Sequence, residues 1–356
     1  MNILDKTSVL EEYNDSQVIQ SIEGMSEQIS GSWQEALKMK LPIAYQKAKQ
    51  IVFCGMGGSN LSSEMVRDIF GKEIKKPFVL VRGYGLPGFV TKDSLVVISS
   101  YSGNTEETVS CLKEAKAKKA KIICISSGGK IITFAKRNKI PYFKIDTATN
   151  PSSQPRYGVG LQLGAILAIF HKLKIIKIVK KDLKSYMEYL VMLNELFGYQ
   201  IKSDKNIAKI IAEKFKGHLP ILVASEFLSA NAHIICNQIN EGAKSLAVPY
   251  KIPELNHHLM EGLSFPTTVK SKIKFLFLNS GQYSPDIRKR FEITKKVLKK
   301  QDIKFVEYNI DGDSKLLNSL EMLLFGGWFS FYLSVLNKQN PANIPWVNYF
   351  KQELAK

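Results

Sequence analysis

Leu95-Val96-Val97-Ile98-Ser99-Ser100-Tyr101-Ser102-Gly103-Asn104-Thr105-Glu106-Glu107-Thr108 joins three kinds of sequence in one short stretch. The β-branched run at its start has no polar alternation, which is the pattern of a strand buried on both faces. Three hydroxyls, Ser100, Ser102 and Thr105, then surround Gly103, and helical spacing begins at Thr105 and lasts to residue 117. A phosphate monoester dianion requires many short hydrogen-bond donors and the positive end of a helix, and this loop offers both. A plain N-cap, Thr105 with Thr108 or Glu107, would need only one hydroxyl.

The same alternation extends outward from this stretch. Apolar runs at 51–54, 78–81, 122–125 and 142–145 are separated by amphipathic segments at 61–70 and 131–137. Strands without polar alternation, divided by helices, predict a parallel doubly wound sheet. Helical patterns alone follow at 158–173, 181–196 and 206–214. Strand and helix patterns then resume at 220–225, 228–239, 273–279, 285–300, 304–310 and 314–336. The architecture is thus expected twice, in two α/β units of roughly 130 residues each, divided near Gly217. Residues 1–40 read as a helical lead-in, with Val18, Ile19, Ile22, Met25 and Ile29 at helical spacing. Residues 346–354 read as a short amphipathic C-terminal helix.

In doubly wound sheets, ligands bind beyond the carboxyl ends of the strands. A second such end carries Gly55-Met56-Gly57-Gly58-Ser59-Asn60. The spacing is GxGGS rather than GxGxxG, and the next strand ends in Val81-Arg82-Gly83 without a ribose-binding acid. No GxxxxGK[ST] is present. No nucleotide cofactor is expected.

Composition narrows the class. The chain has 356 residues, 45% of them hydrophobic, enough for two packed domains. Fifty Lys and Arg against 32 Asp and Glu give a net charge of +18. The lysines are scattered over 72–76, 116–121, 174–184 and 295–300, on polar helix faces, which argues for a solvated surface and not a nucleic-acid footprint. A positive field also concentrates an anionic substrate. No apolar run is expected to reach spanning length, the densest lying at 161–170 and 275–278, and no signal-peptide core follows Met1. Cys54, Cys111, Cys124 and Cys236 form no CxxC pair and read as buried, reduced thiols of a cytoplasmic protein. His257 and His258 are adjacent with no third ligand at helical spacing, so no metal is expected.

SYSGNTEET at 100–108 resembles the phosphosugar loop of the sugar isomerase (SIS) domain, and two such domains match the doubled pattern. GMGGS, Tyr84-Gly85-Leu86-Pro87, Gln154-Pro155-Arg156, Asn240-Glu241, Pro253-Glu254-Leu255-Asn256-His257 and Val347-Asn348-Tyr349-Phe350-Lys351 stand in the order seen in bifunctional phosphoglucose/phosphomannose isomerases. That resemblance runs from residue 40 to the end. It implies two doubly wound, flavodoxin-like SIS domains at 41–175 and 216–356, joined by a helical linker at 176–215. It implies interconversion of glucose 6-phosphate and fructose 6-phosphate through a cis-enediolate without a cofactor, with mannose 6-phosphate left open as a second aldose.

The resemblance also assigns residues. Gly57, Gly58, Ser59, Ser100, Ser102 and Thr105 would hold the phosphate. Glu241, by itself a Glu near a helix end, would be the base that carries the proton between C1 and C2. Arg156, by itself either an exposed loop cation or one pointing into a cleft, would stabilise the enediolate. His257, in a loop between the Pro253 and Gly262 turns, would open the sugar ring from the partner subunit of a homodimer. Lys351 would contact the ring region. The chain departs from the family pattern at Ile234-Ile235-Cys236, where a cationic pair is common, at Gly242 after Asn240-Glu241, and at Asn60-Leu61-Ser62-Ser63-Glu64 after GMGGS. Two alternatives keep the fold: a phosphosugar sensor without catalysis, and an isomerase for another phosphosugar.

Overall fold

The computed structural model describes residues 2–354 and 356. In chain order the elements are α1 (Thr7–Glu12), α2 (Val18–Glu23), α3 (Met25–Lys38), β1 (Gln50–Cys54), α4 (Gly58–Phe70), β2 (Phe78–Val81) and β3 (Ser94–Ser100). These are followed by α5 (Glu106–Ala117), β4 (Lys121–Ser126), α6 (Gly129–Arg137), β5 (Tyr142–Lys144), α7 (Val159–Lys172), α8 (Lys180–Phe197) and α9 (Ile207–Phe215). The rest are β6 (Leu219–Ala224), α10 (Ser229–Gln238), β7 (Val248–Lys251), α11 (Leu255–Gly262), α12 (Val269–Lys272), β8 (Ile273–Ser280), α13 (Pro285–Lys300), β9 (Phe305–Ile310), α14 (Lys315–Leu336) and α15 (Pro345–Leu354). The chain packs as two compact units, one of residues 24–189 and one of 1–23 with 190–356. The lead-in is therefore shared: α1 and α2 belong to one unit and α3 to the other.

The 24–189 unit is built on a five-stranded sheet of order β2-β1-β3-β4-β5, all parallel. This is the flavodoxin-like 2-1-3-4-5 winding, whose direction reverses between β1 and β3. β3 lies between β1 and β4 and every one of its residues is buried, which is why its sequence shows no alternation. Each fully buried Val or Ile there contributes about 1.5–3 kcal/mol relative to exposure. On this unit α3 packs along α7. Gln28 of α3 reaches the segment that precedes α7, its Nε2 donating to the carbonyls of Thr149 at 3.0 Å and Tyr157 at 3.1 Å.

The other unit holds a four-stranded parallel sheet of order β7-β6-β8-β9. Setting β6 for β1 and β8 for β3, it repeats the first four positions of the other winding, so the doubled α/β architecture is present. Its core is aromatic: Phe325 stacks on Phe329 at 5.6 Å and meets Tyr308 at 4.2 Å with the rings tilted, and Phe215 meets Phe329 edge-on. α14 corrects the expectation that no apolar stretch reaches spanning length. Its 22 residues are long and apolar enough to cross a membrane, yet its apolar window is wholly buried inside the protein, as a core helix would be. Lys209, fully buried, donates to the carbonyls of Leu4, Tyr199 and Ile201 at 2.6–2.8 Å, fastening the N-terminal segment to α9.

All four cysteines are unbridged and buried, as their sequence surroundings suggest. Burial pushes the Cys124 thiol up to about 12.

Candidate active site

The loops after β1 and β3 flank the point where the winding of the 24–189 unit reverses. Each opens a helix there, α4 behind Gly57 and α5 behind Thr105. Gly57 has φ +49° and Gly58 is the first helical residue, packed against Pro155. Ser59 is buried, and its hydroxyl accepts from Tyr101 N at 2.8 Å and Gln162 Nε2 at 3.2 Å. With two donors pointing at it, Ser59 joins the two loops before it touches any ligand.

The hydroxyl loop is internally braced. Ser100 Oγ, 1% exposed, accepts from Gly103 N at 3.0 Å and shares a 2.9 Å bond with Thr105 Oγ1. When Ser100 donates in that pair, the Thr105 O–H is left for a ligand. Thr105 makes no side-chain cap to α5, so the capping alternative is not the one adopted. The first-turn N–H groups keep their partial positive charge facing the loop. Ser102 is exposed, its Oγ accepting from Asn104 N at 3.3 Å. Gly103 turns the chain at φ +74°, where a Cβ would stand 1.9 Å from Gly128 O.

That close contact exposes a third loop that sequence reasoning missed: Ser126-Ser127-Gly128-Gly129-Lys130, at the carboxyl end of β4. Ser127 donates to Tyr101 O from both N, at 3.1 Å, and Oγ, at 2.6 Å. Lys130 N donates to Asn104 Oδ1 at 3.1 Å, and Ile131 N to Gly103 O at 3.1 Å. The signal was present, since Ser-Ser-Gly-Gly directly follows the apolar run at 122–125.

Arg156 belongs to the same unit. It sits in a 3-10 turn, Pro155–Tyr157, directly before α7 and is 2% exposed, so it is not a surface loop cation. Its Nη1 donates to Gln154 Oε1 at 2.8 Å, and its guanidinium lies 5.2 Å from the centre of the Tyr157 ring. The 24–189 unit therefore brings together Gly57, Gly58, Ser59, Ser100, Ser102, Thr105 and Arg156.

Glu241, His257 and Lys351 occupy three separate elements of the other unit. Glu241, half-buried, stands on a π-helical turn, Ile239–Ala243, that continues α10. Such turns are frequent at functional sites because they re-aim one side chain. Lys244 closes the turn in a left-handed conformation, and its Nζ donates to the carbonyls of Glu241, Gly242 and Asn340. His257 corrects the sequence expectation: it lies on α11, not in a loop, and is exposed. Lys351 is exposed on α15, a helix with no buried residue. The departing residues Ile234, Ile235 and Cys236 are core residues of α10, at most 1% exposed.

The comparisons with known proteins agree from end to end. Residues 44–171 match the SIS domain model, and residues 204–354 match the bacterial phospho-glucose isomerase C-terminal SIS domain. A bifunctional phosphoglucose/phosphomannose isomerase of Aquifex aeolicus is 30% identical over 341 residues, 96% of this chain and 99% of the relative. The chain belongs to the bifunctional phosphoglucose/phosphomannose isomerase family. A second member, from Caldicellulosiruptor bescii, is 29% identical over 344 residues, covering 95% of this chain and 99% of its own. Among solved structures, a hypothetical protein of Thermus thermophilus shares the fold with a TM-score of 0.73 at 16% identity, over 98% of this chain and 92% of that one.

The two sheets of this family member are not equivalent at their carboxyl ends. β8 is the counterpart of β3, and the helix after it, α13, starts at Pro285 behind Ser284. There the Glu226 carboxylate accepts from Ser284 Oγ at 2.7 Å and lies 3.4 Å from Ser284 N. A protein carboxylate already stands at the helix end that corresponds to the hydroxyl loop.

Proposed function

We propose that this chain is an aldose–ketose isomerase that interconverts glucose 6-phosphate and fructose 6-phosphate through a cis-enediolate, with mannose 6-phosphate as a second aldose. The observation that carries the reading is the braced hydroxyl loop at the uncapped start of α5, in a chain that matches a family member over 96% of its length. Phosphate is held by the Thr105 and Ser102 hydroxyls and by backbone N–H groups at the starts of α4 and α5, with Gly57 and Gly58 allowing close approach. Ser59 and Ser100 shape this cradle from behind. The corresponding place beside α13 is taken by Glu226, which supports phosphate binding in the 24–189 unit.

Glu241 is the base: it removes the proton from C2 of the aldose and returns it to C1. Arg156, desolvated in its turn, stabilises the negative oxygen of the enediolate, an interaction stronger in the transition state than in the substrate. His257 opens the sugar ring, reaching substrate from a partner subunit, and Lys351 contacts the ring region. Homodimer formation is supported by large exposed apolar side chains, among them Phe265 at 77% and Trp346 at 82%. A cytoplasmic location is supported by the four unbridged cysteines.

The experiment is a coupled assay of fructose 6-phosphate conversion without added metal or nucleotide, on wild type and Glu241→Gln. Loss of a general base is worth about 10²–10⁴ in rate, so kcat is expected to fall by at least about 100-fold. The thermal shift on adding substrate should persist. Undiminished turnover in the variant would remove Glu241 from the role of base, and a thermal shift without wild-type turnover would favour a sensor.

A further inference from the structure

We propose that Asn150 is a positioning residue for this reaction: it ties the phosphate loop, through Tyr101, to the turn that carries Arg156. The inference rests on the isomerase reading above and adds a residue to which that reading gives no role.

Asn150 is fully buried, in the segment between β5 and the turn at Pro155. Its Nδ2 donates to the Tyr101 hydroxyl at 2.8 Å and to the Gln154 carbonyl at 3.1 Å. Its Oδ1 accepts from Ser152 Oγ at 3.0 Å. The orientation of the amide is set by these partners, because a flip would face Oδ1 with the Gln154 carbonyl oxygen. The local chain does not need the side chain to close its turns. Asn150 N already donates to Thr147 O, and Ser153 N to Asn150 O, both at 2.9 Å.

On one side of Asn150 stands Tyr101, which lies inside the hydroxyl loop. Its N donates to Ser59 Oγ and its carbonyl accepts from Ser127, so the ring is fixed at its backbone and again at its hydroxyl. Burial raises the Tyr101 hydroxyl above the usual tyrosine range, which keeps it neutral. On the other side, Gln154 accepts from Arg156 Nη1 at 2.8 Å. Gly158 keeps the passage open: a Cβ there would stand 2.7 Å from Asn150 Nδ2 and 3.0 Å from Tyr101 Cε2. The continuous chain is phosphate loop, Tyr101, Asn150, Gln154 and Arg156.

A phosphosugar held at its phosphate presents its reacting carbons at a distance set by its own length. Arg156 must meet the developing oxyanion there, and a misplacement of about 1 Å can cost about 100-fold in rate. Phosphate binding itself draws on the hydroxyls and helix ends, none of which bonds to Asn150. Loss of the tie should therefore lower kcat and leave the grip on phosphate alone.

The test compares wild type, Tyr101→Phe, Asn150→Ala and the double variant. For each, kcat for fructose 6-phosphate, the competitive inhibition constant of inorganic phosphate and the thermal melt are measured. In Tyr101→Phe, kcat should fall by about tenfold or more while the phosphate constant stays within about twofold. The double variant should be no slower than Asn150→Ala by more than about twofold, because both remove one interaction. If Asn150→Ala does not fold, the Tyr101→Phe comparison alone decides. A Tyr101→Phe protein with wild-type kcat, or with phosphate binding lost in step with kcat, would overturn the inference and leave the isomerase reading standing. Wild type without turnover would overturn both.

Discussion

Gly103 carries the sharpest constraint on any single residue of the cradle. At φ +74° an alanine would be strained by about 1–3 kcal/mol, and its Cβ would fall 1.9 Å from Gly128 O, where backbone cannot yield cheaply. Gly103→Ala should therefore lower stability in urea by at least that amount and weaken competitive inhibition by inorganic phosphate. Unchanged inhibition would show that the loop geometry does not matter for phosphate. At this scale the sequence was informative about residue types and silent about partners. The family resemblance makes Ser59 a phosphate ligand, yet its hydroxyl accepts from Tyr101 N and Gln162 Nε2, far along the chain. Asn150 shows nothing in its local spacing, since its importance lies in what it reaches.

Among the elements, strands buried on both faces and helices with one apolar stripe were legible to within three residues at either end, the helices that open behind glycines starting earlier than their apolar spacing, α4 at Gly58 and α6 at Gly129. The second sheet was harder. β7 is four residues long, contains Pro249 and lies at a sheet edge, so it has neither the length nor the composition of a strand signal. α11 buries only Leu255 and therefore carries no stripe, which is why His257 reads as a loop residue. The tie between α13 and β9 offers a test by pH. Burial alone would raise the Glu307 carboxyl, but hydrogen bonds from Lys295 and Asn279, both at 2.7 Å, outweigh it and hold it below its ordinary value of 4.5. A depressed carboxylate stabilises the fold above its ordinary value and ceases to as pH falls through the depressed one. Between about pH 5 and pH 3 the wild-type melting temperature should drop more steeply than that of Glu307→Gln. Parallel curves would mean that the Lys295–Glu307 pair adds nothing.

Across the whole molecule, one winding is used twice and equipped differently. The repeat was legible because alternation of strand and helix survives when the literal sequence does not. The difference was not, because it depends on Glu226 standing beside Ser284, a pairing across 58 residues. Nor was the assignment of α1 and α2 to one unit and α3 to the other, since an amphipathic stripe states that a helix is covered and not by what. The central claim is that this chain moves a proton between C1 and C2 of a phosphosugar. Its most direct test is proton NMR of the glucose 6-phosphate formed from fructose 6-phosphate in heavy water by the purified, metal-free protein. Base catalysis through an enediolate predicts deuterium at C2 in the fraction of product whose proton exchanges with solvent while Glu241 holds it, with Glu241→Gln abolishing its appearance; no conversion by the wild type, or deuterium entering C2 at the wild-type rate in Glu241→Gln, would contradict it.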